Sequence, residues 1–128
     1  SQNNWIECPN LWSSSECSIL AVIVTSIGEL FSLSERSVYI TGPESWSAYF
    51  RVYLLDQGWG NVTLVSYDVQ SYDTMLNIPR SPLAPFSIGL IASIWERAHG
   101  RKFKLIIGQG DGLLKVSISS LLEYKVEV

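Results

Sequence analysis

The chain has 128 residues, 47% of them hydrophobic and 16% charged, and a net charge of −3. It is too apolar for a disordered segment and long enough to build one core without a metal or a dense disulfide framework. The negative balance argues against nonspecific nucleic-acid binding. The apolar runs at 17–27 and 83–95 are interrupted and fall short of the roughly 20 residues that cross a bilayer, so no transmembrane segment is expected.

In chain order, residues 1–14 have no usable period and read as an irregular lead-in, which places the domain over 15–128. Ser13-Ser14-Ser15-Glu16 has the form of a capping box ahead of Ile19, Leu20, Ile23, Ile27, Leu30 and Phe31, which share a helical face. The run is rich in β-branched residues, so a buried strand over 18–25 is the alternative to the helix favoured by the spacing. Residues 37–41 read as a strand ending at Gly42-Pro43. Residues 45–57 then read as a helix with an aromatic stripe of Trp46, Tyr49, Phe50 and Tyr53, and 61–67 as a second strand. Strand, helix and strand within about 32 residues have the size of a parallel βαβ unit. Residues 68–83, punctuated by Pro79 and Pro82, read as a long connection and a place to look for a contact surface.

The most legible stretch follows. Residues 85–98 are a helix with Leu90, Ile91, Ile94, Trp95 and Ala98 on one broad face, and Arg101-Lys102 form a basic joint. A β-hairpin over 103–119 alternates Phe103, Leu105 and Ile107, turns within 108–112, and returns through Leu114, Val116 and Ile118. Alternation at Tyr124, Val126 and Val128 predicts a last edge strand over 121–128. The fold class is α/β or α+β: about three helices on one face of a mixed sheet of four to five strands.

Charge is distributed unevenly. Residues 1–79 hold two basic groups against eight acidic ones, and residues 80–128 hold seven against four. Arg97, Arg101, Lys102, Lys104 and Lys115 form a basic set that suits an acidic protein segment or the acidic half of another copy. Fifteen aromatics exceed the needs of a small core, which adds Trp46 and Trp59 to the interaction candidates. Thr41-Gly42-Pro43-Glu44-Ser45 opens a helix, where backbone N–H groups can receive an anion. It lacks a dinucleotide fingerprint and a P-loop lysine, and Glu44 opposes phosphate, so Thr41, Gly42 and Ser45 stand only as an alternative ligand site.

Cys8 and Cys17 can close a disulfide in an oxidising compartment or remain thiols in a cytosolic one. They match no zinc pattern, a single Asp in the 108–112 turn makes no calcium site, and no metal or other cofactor is expected. His99 sits at a helix end, where it suits the last carbonyls, and it has no catalytic partner in the sequence. No catalytic constellation emerges.

On these residues, 37–119 resembles the effector-associated constant component domains of bacterial conflict systems. The likeness lies in the strand and helix over 38–57, the strand over 62–67, the helix ending in Ile94-Trp95-Glu96-Arg97, and the Gly-Asp-Gly hairpin over 102–117. It implies a small non-catalytic module that accompanies effector domains, and it assigns no functional residues. The reading is therefore a non-enzymatic interaction or adaptor module in the cytoplasm, with a protein partner or a second copy. The alternatives are a small-ligand or nucleotide-binding βαβ domain and a secreted factor with one disulfide.

Overall fold

The computed structural model describes residues 4–8, 14–34, 37–55 and 61–121, the side chains of 14–17, 32 and 55 excepted. Among the described residues five strands form one sheet: β1 (Trp5–Glu7), β2 (Thr63–Tyr67), β3 (Thr74–Pro79), β4 (Phe103–Gly110) and β5 (Leu113–Ser120). With α1 (Ser14–Leu33), α2 (Pro43–Phe50) and α3 (Ala84–His99) they make an α+β fold. The sheet order is β1-β4-β5-β3-β2, with β1 parallel to β4 and the other pairs antiparallel.

The hairpin β4–β5 organises the sheet. Asp111 (φ 55°) and Gly112 (φ 73°) make a two-residue turn, a geometry whose twist matches that of the flanking strands. The turn is tighter than expected, because Gly108, Gln109 and Gly110 remain in the ladder opposite Lys115, Leu114 and Leu113. Phe103, Leu105 and Ile107 on β4, with Leu114, Val116 and Ile118 on β5, are all buried on the helical side.

Three expectations are corrected. Residues 37–41 join no sheet. Val38 is buried there, and the segment is tied to α2 by Tyr39 N–H donating to Tyr49 Oη (3.1 Å) and Thr41 N–H to Ser45 Oγ (3.2 Å). The parallel βαβ unit consequently does not form, and β2 pairs antiparallel with β3 instead. Residues 68–83 are not one long connection, since they contain β3, which lies between β2 and β5 and buries Thr74, Leu76 and Ile78. Pro79 is tolerated because it is the last residue of that strand. The lead-in is also more ordered than expected, since Trp5–Glu7 pairs with Lys104, Leu105 and Ile106. The edge strand expected over 121–128 falls outside the described residues beyond Leu121.

The helix after Gly42-Pro43 is regular to Phe50 and continues as a π-helical stretch, Arg51–Leu55. Residues 14–33 are helical rather than extended, and α1 packs on α3 instead of on the sheet. The order of layers is sheet, α3, α1. Helix α3 is therefore covered on two sides: Ser87, Ile88, Gly89 and Ile91 through Trp95 are all buried, more than one apolar face requires. The α1–α3 contact is close. A Cβ at Gly89 would stand 3.3 Å from Val24 Cα, and one at Gly28 would stand 3.5 Å from Ser93 Oγ. No helix among the described residues is long and apolar enough to cross a membrane.

Candidate functional site

Helices α1 and α3 touch through glycine, so they sit close along their contact, but α1 overhangs the sheet beside the short edge strand β1. Between them lies an open groove of about 1150 Å³. Its apolar floor comes from Ile6 on β1, Val24 and Phe31 on α1, and Phe103 on β4. Thr25 and Glu29 stand on the α1 wall, while Glu96, Arg97, Arg101 and Lys102 line the opposite rim.

Asn4 joins the edge strand to that rim. Its Nδ2 donates to Glu96 Oε2 (3.1 Å), and its Oδ1 accepts from Phe103 N–H (2.8 Å). Lys102 Nζ lies 2.7 Å from Glu96 Oε1, an ion pair with Lys102 about half exposed. Both Glu96 oxygens are thereby engaged within the protein. A pair this exposed contributes little stability, roughly 0–1 kcal/mol, but it fixes where the lysine stands.

Arg101 is placed by an aromatic stack. Its guanidinium carbon is 4.9 Å from the Tyr72 ring centroid, within cation–π range. The Tyr72 ring stacks on His99 at 4.1 Å with an interplanar angle of 1°, and Tyr67 lies 5.9 Å from His99 on the same cluster. Trp95 meets His99 edge-on at 4.9 Å. Trp95 Nε1–H and Thr74 Oγ1–H both donate to the Tyr72 carbonyl, at 2.9 Å each. These bonds hold Tyr72 at a positive φ of 68°, a conformation uncommon for a bulky residue. The turn before it is set by Asp68, whose Oδ1 accepts from the N–H groups of Gln70 (2.7 Å) and Ser71 (3.1 Å). Those two bonds hold the Asp68 carboxyl below its ordinary pKa.

His99 does not cap the helix, contrary to expectation. Gly100, in the left-handed conformation with φ 63°, ends α3 by donating to the Glu96 carbonyl (2.8 Å). The imidazole instead turns to the tyrosines, with Nε2 3.2 Å from Tyr67 Oη. Burial, with the Arg101 charge adding to it, pushes His99 down to about 4, so the ring is neutral at physiological pH. Burial, reinforced by Tyr72 and Asp68, pushes the Tyr67 phenol up to about 12. The pair is thus a packing element rather than a proton donor and acceptor tuned near neutrality.

The basic set is divided between two faces. Arg97, Arg101 and Lys102 meet at the groove, whereas Lys104 and Lys115 alternate with buried neighbours and lie on the sheet face away from the helices. Trp46 is corrected as a surface candidate: it is fully buried beside Phe50 and Tyr67, and its Nε1 finds no acceptor among the described residues. Trp59 lies outside the described residues. At Thr41–Ser45 the two hydroxyls lie 3.2 Å from each other, and a Cβ at Gly42 would be 2.9 Å from Glu44 Oε1. A carboxylate of the chain itself therefore lies at the helix start where an anion would bind, and the strand required for a βαβ site is absent.

Cys8 is disulfide-bonded, and the side chain of Cys17, the second cysteine of the sequence, lies outside those described. No group of three or more His, Cys, Asp or Glu among the described residues could hold a metal ion.

Sequence reasoning found the cations but missed the groove and the stack. Asn4 fell in the lead-in, Tyr67 ended an expected strand while Tyr72 lay within what read as a loop, and Gly28 and Gly89 carried no turn signal. Glycine inside an otherwise strong helical pattern was the available clue, because it marks close helix approach. Comparison with family models, with curated proteins and with solved structures finds no match to this chain.

Proposed function

We propose that the chain is a non-enzymatic protein-interaction module whose groove between α1, α3 and β1 receives an acidic, partly apolar segment of a protein partner. The observation that carries this reading is Arg101. It lines the groove while its guanidinium rests on the Tyr72–His99 stack, so a cation is held in place beside an apolar floor. Cations fixed before binding lose less side-chain freedom on association, which favours recognition of carboxylates. The resemblance of 37–119 to the constant components of bacterial conflict systems supports the same reading, a small companion to an effector domain.

The test is calorimetric titration with a twelve-residue peptide alternating Glu and Leu, against its Lys-Leu counterpart. Binding of the acidic peptide only, weakened about tenfold (~1.4 kcal/mol) by Arg101→Glu and by added salt, supports the reading. Equal binding of both peptides, or of neither, overturns it.

A second reading concerns compartment. The disulfide at Cys8 favours an oxidising environment over the cytoplasm, because structural disulfides persist in the former. Thiol titration of the denatured chain isolated from its native source decides this. No reactive thiol before reduction and two after it support the oxidising compartment, and two before reduction place the chain in the cytoplasm.

A further inference from the structure

The outer face of α1 exposes Ile19 (59%), Val22 (65%), Leu30 (65%) and Leu33 (79%), the last of which, at the helix end, also borders the groove. With Ser26, also exposed, these residues fall within about 80° of arc at 3.6 residues per turn, and no charged residue lies among them. Their spacing is three, four, four and three, and it reads the same from either end. Such a pattern is self-complementary. Two copies laid antiparallel about a two-fold axis at Ser26 set Ile19 against Leu33 of the second copy and Val22 against Leu30. The two small serines then stand at the crossing, where helix backbones approach most closely.

We infer that this stripe is a two-fold interface between two copies of the chain, packed through α1. An isologous contact requires one patch to match itself, and the palindromic spacing about Ser26 meets that requirement. A lipid surface fits poorly: helices that lie on membranes carry Lys or Arg on their polar face, and residues 14–33 contain neither. A charged partner has no counter-charge to meet within the stripe. A standard stable interface uses roughly 800 Å² and roughly 20–30 residues from each partner. A stripe of four large side chains falls short of that, so the dimer is reversible rather than obligate.

Sedimentation velocity of the full oxidised chain, from about 5 to about 500 µM, reads the association directly. A concentration-dependent monomer–dimer equilibrium is expected, weakened at least about tenfold (~1.4 kcal/mol) by Leu30→Glu. Arg101→Glu, in the groove, leaves it unchanged, so failure here and failure of the groove reading are distinguishable. Ser26→Cys on the axis is expected to cross-link into a covalent dimer under mild oxidation, and Thr25→Cys, on the groove side, is not. A monomer throughout the range overturns the inference, as does a dimer indifferent to Leu30→Glu or equal cross-linking at both positions. A monomer that floats with phosphatidylcholine vesicles overturns it in favour of a lipid surface.

Discussion

Helix α3 is enclosed between the sheet and α1, with Ile88, Ile91, Ala92 and Trp95 fully buried. By contrast α1, also rich in aliphatic residues, leaves Ile19, Val22, Leu30 and Leu33 in solvent. The difference is one of layer, not of composition. A helix lying directly on the sheet and beneath another helix finds apolar neighbours on two sides, and the outermost helix finds them on one. Apolar content therefore measures how much surface a helix can bury, and the stacking order decides how much it does bury. What remains exposed on α1 is where an interaction surface is to be sought.

Substitutions can break or sharpen this contrast. The largest effect is expected at Trp95, which packs on His99 and Phe103 and donates to the Tyr72 carbonyl: Trp95→Ala should destabilise by about 3–5 kcal/mol in urea unfolding. An unchanged midpoint would mean that α3 is not the enclosed helix. Next comes Gly89→Leu. Even a Cβ there meets the Val24 backbone at 3.3 Å, and the added carbons should cost about 1–3 kcal/mol by forcing α1 away. A neutral result would show that the helices are not in close contact at that glycine.

The stack gives a smaller, pH-dependent effect. His99 has a folded pKa of about 4 against an ordinary value of 6.5, so between these pH values the unfolded chain binds a proton that the folded chain excludes. The stability conferred by the neutral ring is complete above pH 6.5 and is lost as pH falls toward 4. Discounting for partial exposure, the loss at pH 5.5 is roughly 1 kcal/mol. His99→Phe should remove that slope, and a slope surviving in the variant would assign it to another group. Least of all, Leu33→Ala on the bare face of α1 should change monomer stability by no more than about 0.5 kcal/mol. A loss of several kcal/mol would show that this face is covered.

Legibility followed range. The β4–β5 hairpin and α3 could be read locally, because two-fold alternation, an Asp-Gly pair and a 3.6-residue period are each short-range signals. The segment 37–41 misled because its alternation, Ser37-Val38-Tyr39-Ile40-Thr41, is what a strand needs, yet Val38 is buried without a ladder partner. Strand β3 was hidden by Pro79 and Asn77, residues depleted in strands, which the sheet accommodates at the strand end and on its outward face. Trp46 illustrates the same limit, since an aromatic at helical spacing has the same sequence signature at a surface as in a core.

The sequence by itself determined the β4–β5 hairpin, with its turn placed only within 108–112, the three described helices, and the presence of a mixed sheet. It also determined the basic character of the α3–β4 joint. These rest on local propensity and periodicity, which act over a few residues. Tertiary structure alone decided that β1 adds to the sheet edge, that α1 stacks on α3 at Gly89, and that Arg101 is set by Tyr72 and His99 beside a groove. Each of those joins groups distant in the chain, and their energy comes from burial and contact that exist only once the layers have packed.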